Sequence, residues 1–182
     1  MTKRICFLLL LATLLSVGQA SAQRVGLRTN TLEWLLASPN LALEARMSRH
    51  VTLSVGMGGS PFKHYPGFDD VRLRNFNINP ELRWWFNRPM ARHFVGVNVT
   101  AAVFDIQLRS RHWKGDLFSA GVEYGYALVL SRHWNVEFTA GIGAGKARGR
   151  EWKEPAERPK DTNMSKIVPV PRLGVSFAYI FK

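Results

Sequence analysis

Apolar and polar residues alternate along six separate stretches of the chain, and this alternation constrains the fold more than any other feature. Residues 118–130 read FSAGVEYGYALVL, with an apolar or aromatic side chain at every even position. A period of two indicates a β-strand with one apolar and one polar face. The same pattern recurs at residues 51–57, 77–86, 95–103, 134–143 and 172–181, and two weaker examples lie at 25–32 and 40–46. The sequence therefore predicts an all-β fold of eight strands.

The predicted connections alternate in length along the chain. Short connections fall at residues 47–50, 87–92 and 131–133, and longer ones at 33–39, 59–74, 107–115 and 146–167. Tight turns at one end and longer loops at the other are typical of outer-membrane barrels. We therefore expect an up-and-down, antiparallel, eight-stranded transmembrane β-barrel.

An Arg-His pair precedes three of the predicted strands. The pairs are Arg49-His50, Arg92-His93 and Arg132-His133, and all three lie at short connections. Turns spread around the rim of a barrel do not converge on one ion, as metal ligands must. The repeated pair therefore indicates an architectural turn rather than a metal or catalytic site.

The polar faces of the predicted strands carry balanced charges. Buried charges are tolerated when they are paired and hydrogen-bonded, so this face suits the interior of a narrow membrane barrel. A soluble lipocalin-like carrier, with its apolar face inside, is the alternative. Aromatic residues near the short turns (Trp84, Phe86, Trp134, Tyr179 and Phe181) resemble an interfacial girdle and favour the membrane version. The candidate interior ion network consists of Arg28, Glu44, Arg46, Glu81, Arg83, Glu123, Glu137 and Arg172.

One proline conflicts with this pattern. Pro80 lies in the middle of a predicted strand, where it cannot donate a ladder hydrogen bond. A closed barrel has no free edge for such a residue, so we expect a bulge or a local break there.

The amino terminus resembles an export signal. Lys3 and Arg4 precede an apolar stretch from Ile5 to Val17, and an Ala-Ser-Ala cleavage pattern ends at Ala22. Residues 1–22 are therefore predicted to be a cleaved signal peptide, and residues 23–182 a single barrel domain in the outer membrane. Removal of Lys3 and Arg4 lowers the formal net charge from +12 to +10, and the only cysteine, Cys6, is lost with the signal.

Basic residues dominate the predicted outward loops. We expect these loops to face the acidic lipopolysaccharide surface, with outer-membrane lipids as partners and no nucleic acid. A dedicated ligand surface could use Trp113 and Trp152 as stacking platforms. The candidate surface-binding residues are Arg109, Arg111, Trp113, Lys114 and Trp152.

A lipid-modifying hydrolase is the enzymatic alternative. Its candidate residues are Ser110, either His64 or His112, and either Asp69 or Asp70. A triad needs its base held within hydrogen-bond reach of the nucleophile, and these residues lie on predicted separate loops. We therefore predict no enzymatic activity, no catalytic or metal site and no cofactor.

Several blocks resemble a known family. The segments "NPELRWWF" and "GVEYGYALVLSRHWNVEFTAGIG" and the ending "GVSFAYIFK" are similar to small Bacteroidetes outer-membrane proteins catalogued as domain of unknown function 3575. The resemblance covers essentially the whole chain after residue 22. It implies an eight-stranded barrel with no established activity and no cofactor. It also implies surface or fimbrial assembly proteins as possible partners.

Overall fold

A computed structural model describes residues 24–60, 71–155 and 159–181. Eight antiparallel strands follow one another around a single closed ring, in which the last strand pairs with the first. The elements are β1 (Val25–Asn30), α1 (Thr31–Leu35), β2 (Asn40–Arg46), β3 (Val51–Ser60), β4 (Val71–Trp85), β5 (Arg92–Leu108), β6 (Arg111–Val129), β7 (Trp134–Lys153) and β8 (Met164–Phe181).

The strands are strongly staggered around the ring. A row of paired residues that starts at Gly26 on β1 reaches Val170 on β8, whereas Gly26 itself pairs with Ile180. The row is therefore displaced by ten residues after one circuit. For eight strands this stagger corresponds to a tilt of about 40°, so each residue rises about 2.5 Å along the barrel axis.

The predicted all-β fold of eight antiparallel strands in sequential order is confirmed. The predicted signal peptide, residues 1–22, lies outside the described residues. Among the described residues, no helix has the length and apolar character needed to cross a membrane.

The predicted loops at one end of the barrel were wrong in extent. Residues 107–115 form the tip of a hairpin in which only Arg109 and Ser110 separate β5 from β6. Most of residues 146–167 are strand, because β7 continues to Lys153 and β8 begins at Met164. β3 likewise extends to Ser60 and β4 begins at Val71. Short and long connections therefore do not alternate strictly.

The first connection contains the only helical turn in the described ranges 24–60, 71–155 and 159–181. β1 ends at Asn30, whose side chain accepts a hydrogen bond from the amide of Leu32 at 3.2 Å and caps α1. β1 and β2 are consequently the shortest strands of the ring. They end well below the upper ends of β4 to β8.

Strand β4 continues through Pro80 without a shift in register, so the predicted bulge is absent. The ladder with β5 is nevertheless interrupted between Ile78 and Glu81. The register places Val99 opposite Pro80, and the carbonyl of Val99 accepts a hydrogen bond from Asn79 Nδ2 at 2.9 Å. The side chain of Asn79 thus supplies the donor that the proline lacks. The predicted local break occurs in the hydrogen bonding alone.

The outer face of the barrel carries a continuous belt of exposed apolar side chains. On β7 the belt runs over the eleven residues from Trp134 to Ala144, which is ten steps or about 25 Å along the axis. Side chains in the upper half of the belt, such as Phe118 and Ile142, are more than half exposed. Other members are Leu41, Leu43, Leu53, Val55, Met57, Phe76, Ile78, Leu82, Trp84, Val95, Val97, Val103, Val122, Tyr124, Leu128, Phe138, Leu173, Phe177 and Phe181.

Above this belt the polarity of both faces is inverted. The first outward charged residues are Arg74, Asp105, Asp116 and Lys146 on β4 to β7. With about 2.5 Å of height per residue, these four fall within about 5 Å of one plane. From that plane upward the inward residues become apolar. The inward apolar residues, which we call the upper cup, are Val71, Leu73, Phe104, Ile106, Leu117, Ala147, Met164, Val168 and Val170.

Candidate functional site

The lower lumen is filled by a charged network centred on Arg83. Its guanidinium is fully buried and lies within 3.5 Å of four carboxylates. The contacts to Glu44, Glu81 and Glu137 are 3.1, 3.0 and 3.0 Å, and the contact to Glu123 is 3.5 Å. The strand register brings these residues together because all of them face inward on neighbouring rows. Arg83 is therefore the one group on which every carboxylate of the network depends.

Two further arginines surround this centre. Arg28 lies 3.5 Å from Glu81 and 3.4 Å from Glu137. Arg172 lies 3.1 Å from Glu123 and also donates to Asn79 Oδ1 at 3.0 Å. The network is thus linked upward to a layer of neutral amide and hydroxyl groups.

The structure brings together seven of the eight predicted network residues and excludes Arg46. Arg46 lies at the lower end of β2, and its Nε donates to the carbonyl of Ser48 at 3.0 Å. Arg46 was predicted to join the network because it lies on the inward face of β2. It lies too far below the carboxylates to contact them. Without it, four carboxylates face three guanidinium groups.

An aromatic floor closes the lumen below the network. The Arg83 guanidinium lies 4.5 Å above the ring of Phe94, which packs against Trp85 at the same centroid distance. A side chain at position 125 would collide with this ring, since a Cβ on Gly125 would lie 2.2 Å from Phe94 Cζ. Met90 from the β4–β5 turn completes the floor. The lower lumen is therefore a packed core and not an open channel.

The histidines of the repeated Arg-His pairs contact the neighbouring strand at the lower rim of the barrel. His50 Nδ1 lies 3.0 Å from the carbonyl of Trp85, and His133 Nδ1 lies 2.9 Å from the carbonyl of Ile180. In both turns the preceding serine hydroxyl, Ser48 or Ser131, accepts from the histidine amide. His93 contacts the Tyr124 hydroxyl instead. His50 and His133 are thus turn residues, as the sequence predicted, whereas His93 lies in β5.

The candidate surface-binding residues do not form one platform. Trp113 faces the lumen side of β6, whereas Trp152 lies on the outer side of β7 and stacks on His112 with ring centroids 4.8 Å apart. Lys114 faces outward and pairs with Asp105 at 3.3 Å. Arg109 occupies the β5–β6 turn with φ of 55°, and Arg111 begins β6. The prediction that both tryptophans share a binding surface was wrong, because it assumed a loop where alternating strands place them on opposite faces.

The hydrolase candidates are only partly brought together. His112 Nε2 lies 3.0 Å from Glu154 Oε1, a carboxylate that the sequence analysis did not single out. Ser110 is near in the chain, but its hydroxyl makes no hydrogen bond to His112 among the described residues. His64, Asp69 and Asp70 lie outside those residues. The described part of the chain therefore holds a histidine–carboxylate pair without an aligned nucleophile.

The upper cup has a small polar group at its rim. Glu151 accepts a hydrogen bond from Lys166 Nζ at 2.9 Å, and this bond lowers the pKa of Glu151. Asn163 bonds both the amide and the carbonyl of Glu151. These contacts fix the upper ends of β7 and β8. Below them the cup is lined by apolar side chains that are partly exposed toward its centre.

The outer side of the same strands is strongly basic. Among the described residues above the belt, six outward cations accompany two outward acids. Arg74, Arg148 and Arg150 make no ion pair with any described residue. The cations are Arg72, Arg74, Lys114, Lys146, Arg148 and Arg150, and the acids are Asp105 and Asp116.

The upper cup was not predicted from the sequence, because the alternation of apolar and polar residues breaks at its lower edge. Where the polarity inverts, two apolar residues follow each other, as in Val103-Phe104 and Leu117-Phe118. This break in alternation was interpreted as the end of a strand. It instead marks the level at which a continuing strand exchanges its apolar and polar faces.

Comparison with known proteins assigns the family of this chain. No curated protein matches the chain. A family model described as "Protein of unknown function (DUF3575)" matches residues 5–181, which is nearly the whole sequence. This match agrees with the motifs in β4, β6, β7 and β8. The chain therefore belongs to the DUF3575 family of proteins of unknown function.

Proposed function

We propose that this protein is a small outer-membrane barrel with a structural or surface-interaction role. The observation that carries the proposal is the apolar belt, whose side chains are exposed around the ring while Glu81, Arg83 and Glu137 are buried inside. A soluble barrel requires the reverse arrangement. Burying such a belt in hydrocarbon stabilises the protein by the transfer of a large apolar surface from water.

The dimensions of the belt support a bilayer environment. Its height of about 25 Å on β7 equals the apolar band expected of outer-membrane barrels. Trp84 and Trp134 lie at its lower end, where amphipathic rings are expected at a membrane interface. The pairing of neighbouring strands in the lower barrel, with Asn79 Nδ2 replacing the donor that Pro80 lacks, leaves few backbone groups exposed to lipid.

The charges above the belt favour an anionic surface. Arg74, Lys146 and Arg148 lie directly above the apolar residues and face away from the barrel, where phosphate groups of lipopolysaccharide would be. Surface or fimbrial assembly proteins are further candidate partners at this end. The sealed lower lumen and the absence of a serine bonded to His112 in the described residues favour a scaffold over a hydrolase.

Heat modifiability tests the membrane-barrel assignment. Folded protein in detergent should migrate faster on a gel than the same sample after boiling, because the closed ring resists unfolding by detergent. A protein that remains soluble and monomeric without detergent would refute the proposal and support the lipocalin-like alternative.

Tag accessibility tests the orientation. An epitope inserted beside Pro155, above the belt, should be detected on intact cells. A matched epitope between Arg49 and His50, at the lower rim, should become detectable only after the outer membrane is permeabilised. Reversed labelling would show that the basic end faces the periplasm.

A further inference from the structure

Among residues 24–60, 71–155 and 159–181, the strands leave a gap in the barrel wall on one side, at the upper level of the apolar belt. β1 ends at Asn30 and β2 begins at Asn40, whereas β8 continues upward to Met164. The last residue of β8 that pairs with β1 is Ser176. Side chains of Asn30 and Thr31 bond the backbone of Leu173 and Val175. Above Leu173, no described strand pairs with this edge of β8, although α1 packs against β8.

Two prolines lie on the unpaired edge. The amide and carbonyl of Val175 point toward β1, so alternation directs the backbone groups of residues 173, 171, 169 and 167 to the same side. Pro169 and Pro171 have no amide hydrogen and leave no unsatisfied donor there. Prolines at these positions also prevent a further strand from pairing along the edge. The gap is therefore suited to an occupant other than a β-strand.

A groove with both outward-facing and inward-facing residues in its lining lies at the tops of β2 and β3 and against β4 to β6. Its volume is about 980 Å³, at the upper end of the range for small-molecule sites. Outward residues Leu41, Met57 and Phe76 and inward residues Ser60 and Phe104 all line it. Trp34 of α1, whose Nε1 donates to Thr29 Oγ1 at 2.7 Å, lines the lower side.

We propose that the upper cup binds an acyl chain of a phosphorylated membrane lipid, which enters sideways through this gap. The proposal rests on the proposed membrane location. The cup is lined by partly exposed apolar side chains, including Phe104, Leu117 and Val168. Its side opening lies at the depth of the belt, so hydrocarbon has direct access to it.

The surrounding charges select the headgroup. Arg74, Lys114 and Asp105, the ion-pair partner of Lys114, line the same groove, and Arg148 and Arg150 lie at similar height on β7. A phosphate beside these cations would compensate the excess positive charge above the belt. The carbonyls of Pro169 and Pro171 face the gap without a donor among the described residues. A lipid with hydroxyl or amide hydrogens near the headgroup would satisfy them.

Site-specific fluorescence in brominated bilayers tests the proposal. In a Cys6→Ser background, Phe104→Cys places a label in the upper cup, and Val103→Cys places the matched control label on the belt one residue away. Each labelled protein is reconstituted in vesicles of phosphatidylcholine and phosphatidylglycerol, with or without bromine in the middle of the acyl chains. Iodide in the buffer serves as the aqueous quencher.

We expect brominated lipid to quench both labels and iodide to leave the Phe104→Cys label bright. Quenching of the Val103→Cys label by lipid, together with quenching of the Phe104→Cys label by iodide alone, would refute the lipid site. The membrane assignment would then stand. Absence of lipid quenching at both positions would refute the membrane assignment together with the inference.

A variant that fills the cup provides an independent check. Val170→Trp should reduce lipid quenching of the Phe104→Cys label by about half or more, because the new ring occupies the space of the chain. Leu173→Trp, on the outer face of the same strand, should leave it unchanged. Heat-modifiable migration shows that each variant is folded, and Val168→Phe replaces Val170→Trp if that variant fails. Unchanged quenching in a folded cup-filling variant would contradict the proposal.

Discussion

The lower and upper parts of this barrel use the same strands with opposite polarity. In the lower part, Glu81 and Arg83 face inward and Leu82 and Trp84 face outward. In the upper part of β5, Phe104 faces inward and Asp105 outward. The backbone alternation is unbroken across the boundary. The environment on each side of the wall therefore determines the pattern of residues, and strand geometry alone does not.

The two regions also differ in how they are packed. The lower lumen is filled by a network in which one guanidinium contacts four carboxylates, above a floor of aromatic rings. In the part of the chain that the structure describes, the upper cup is bounded by five strands and opens to one side between β8 and the tops of β1 to β3. Substitutions should therefore have large effects below the boundary and small effects above it.

The largest effect is expected at the centre of the network. Arg83→Leu would leave four buried carboxylates without their shared cation and should lower the free energy of unfolding by on the order of 3–5 kcal/mol. Arg172→Leu should cost less, because Arg172 contacts one carboxylate and is a quarter exposed. Urea unfolding in lipid vesicles measures both. Equal losses of stability in the two variants would show that Arg83 is no more important to the network than Arg172.

The next effect concerns the outer belt. Ala140→Lys places a charge six residues above Trp134, near the middle of the belt, and should cost about 2–4 kcal/mol. Ile167→Lys, near the boundary plane, should cost about 0–1 kcal/mol, because the side chain can reach the headgroups. The same unfolding assay compares the two. Similar costs would place the boundary plane elsewhere.

Packing tolerance gives a smaller effect. Gly125→Ala forces the Phe94 ring to move and should cost about 1–3 kcal/mol. Val170→Leu, which adds a methylene to the open cup, should change the stability by less than about 0.5 kcal/mol. A Val170→Leu variant as destabilised as Gly125→Ala would indicate that the cup is already filled.

The smallest effect is expected at the rim of the cup. Glu151→Gln removes an exposed ion pair with Lys166 and should cost about 0.2–1 kcal/mol. Because the pKa of Glu151 is lowered, the pair stabilises the fold at neutral pH. This contribution should decline as the pH falls from about 4.3, the unfolded value, through the lower folded value. A cost that persists in acid would assign the effect to packing.

Particular residues show how far sequence reasoning reached. Alternation located all eight strands and placed Glu44, Glu81, Arg83 and their partners on one face, since period two fixes the side on which a residue lies. It placed Arg46 correctly on the inward face of the strand, but it did not show that Arg46 lies below the network along the barrel axis. It also suggested Arg83 or Arg46 as the partner of Glu81, and the structure shows contacts from Glu81 to Arg83 and Arg28.

The number of contacts that Arg83 makes also changes the expected effect of a double substitution in the network. From the sequence alone, replacing Glu81 and its partner together should recover most of the stability that Glu81→Leu loses. Arg83 is also the partner of Glu44, Glu123 and Glu137. Replacing Arg83 and Glu81 together would therefore leave three buried carboxylates without the Arg83 guanidinium. We expect the double variant to recover little of the lost stability.

The sequence by itself determined the strand count, the strand order and the division of residues between two faces, because these depend only on local period and spacing. The tertiary structure decided where the strands end, which arginine is central and where the wall is open. Those features depend on the ten-residue stagger of the ring, which sets the height of every residue relative to residues on other strands. A property that arises from closure of the whole sheet cannot be obtained from any single stretch of the chain.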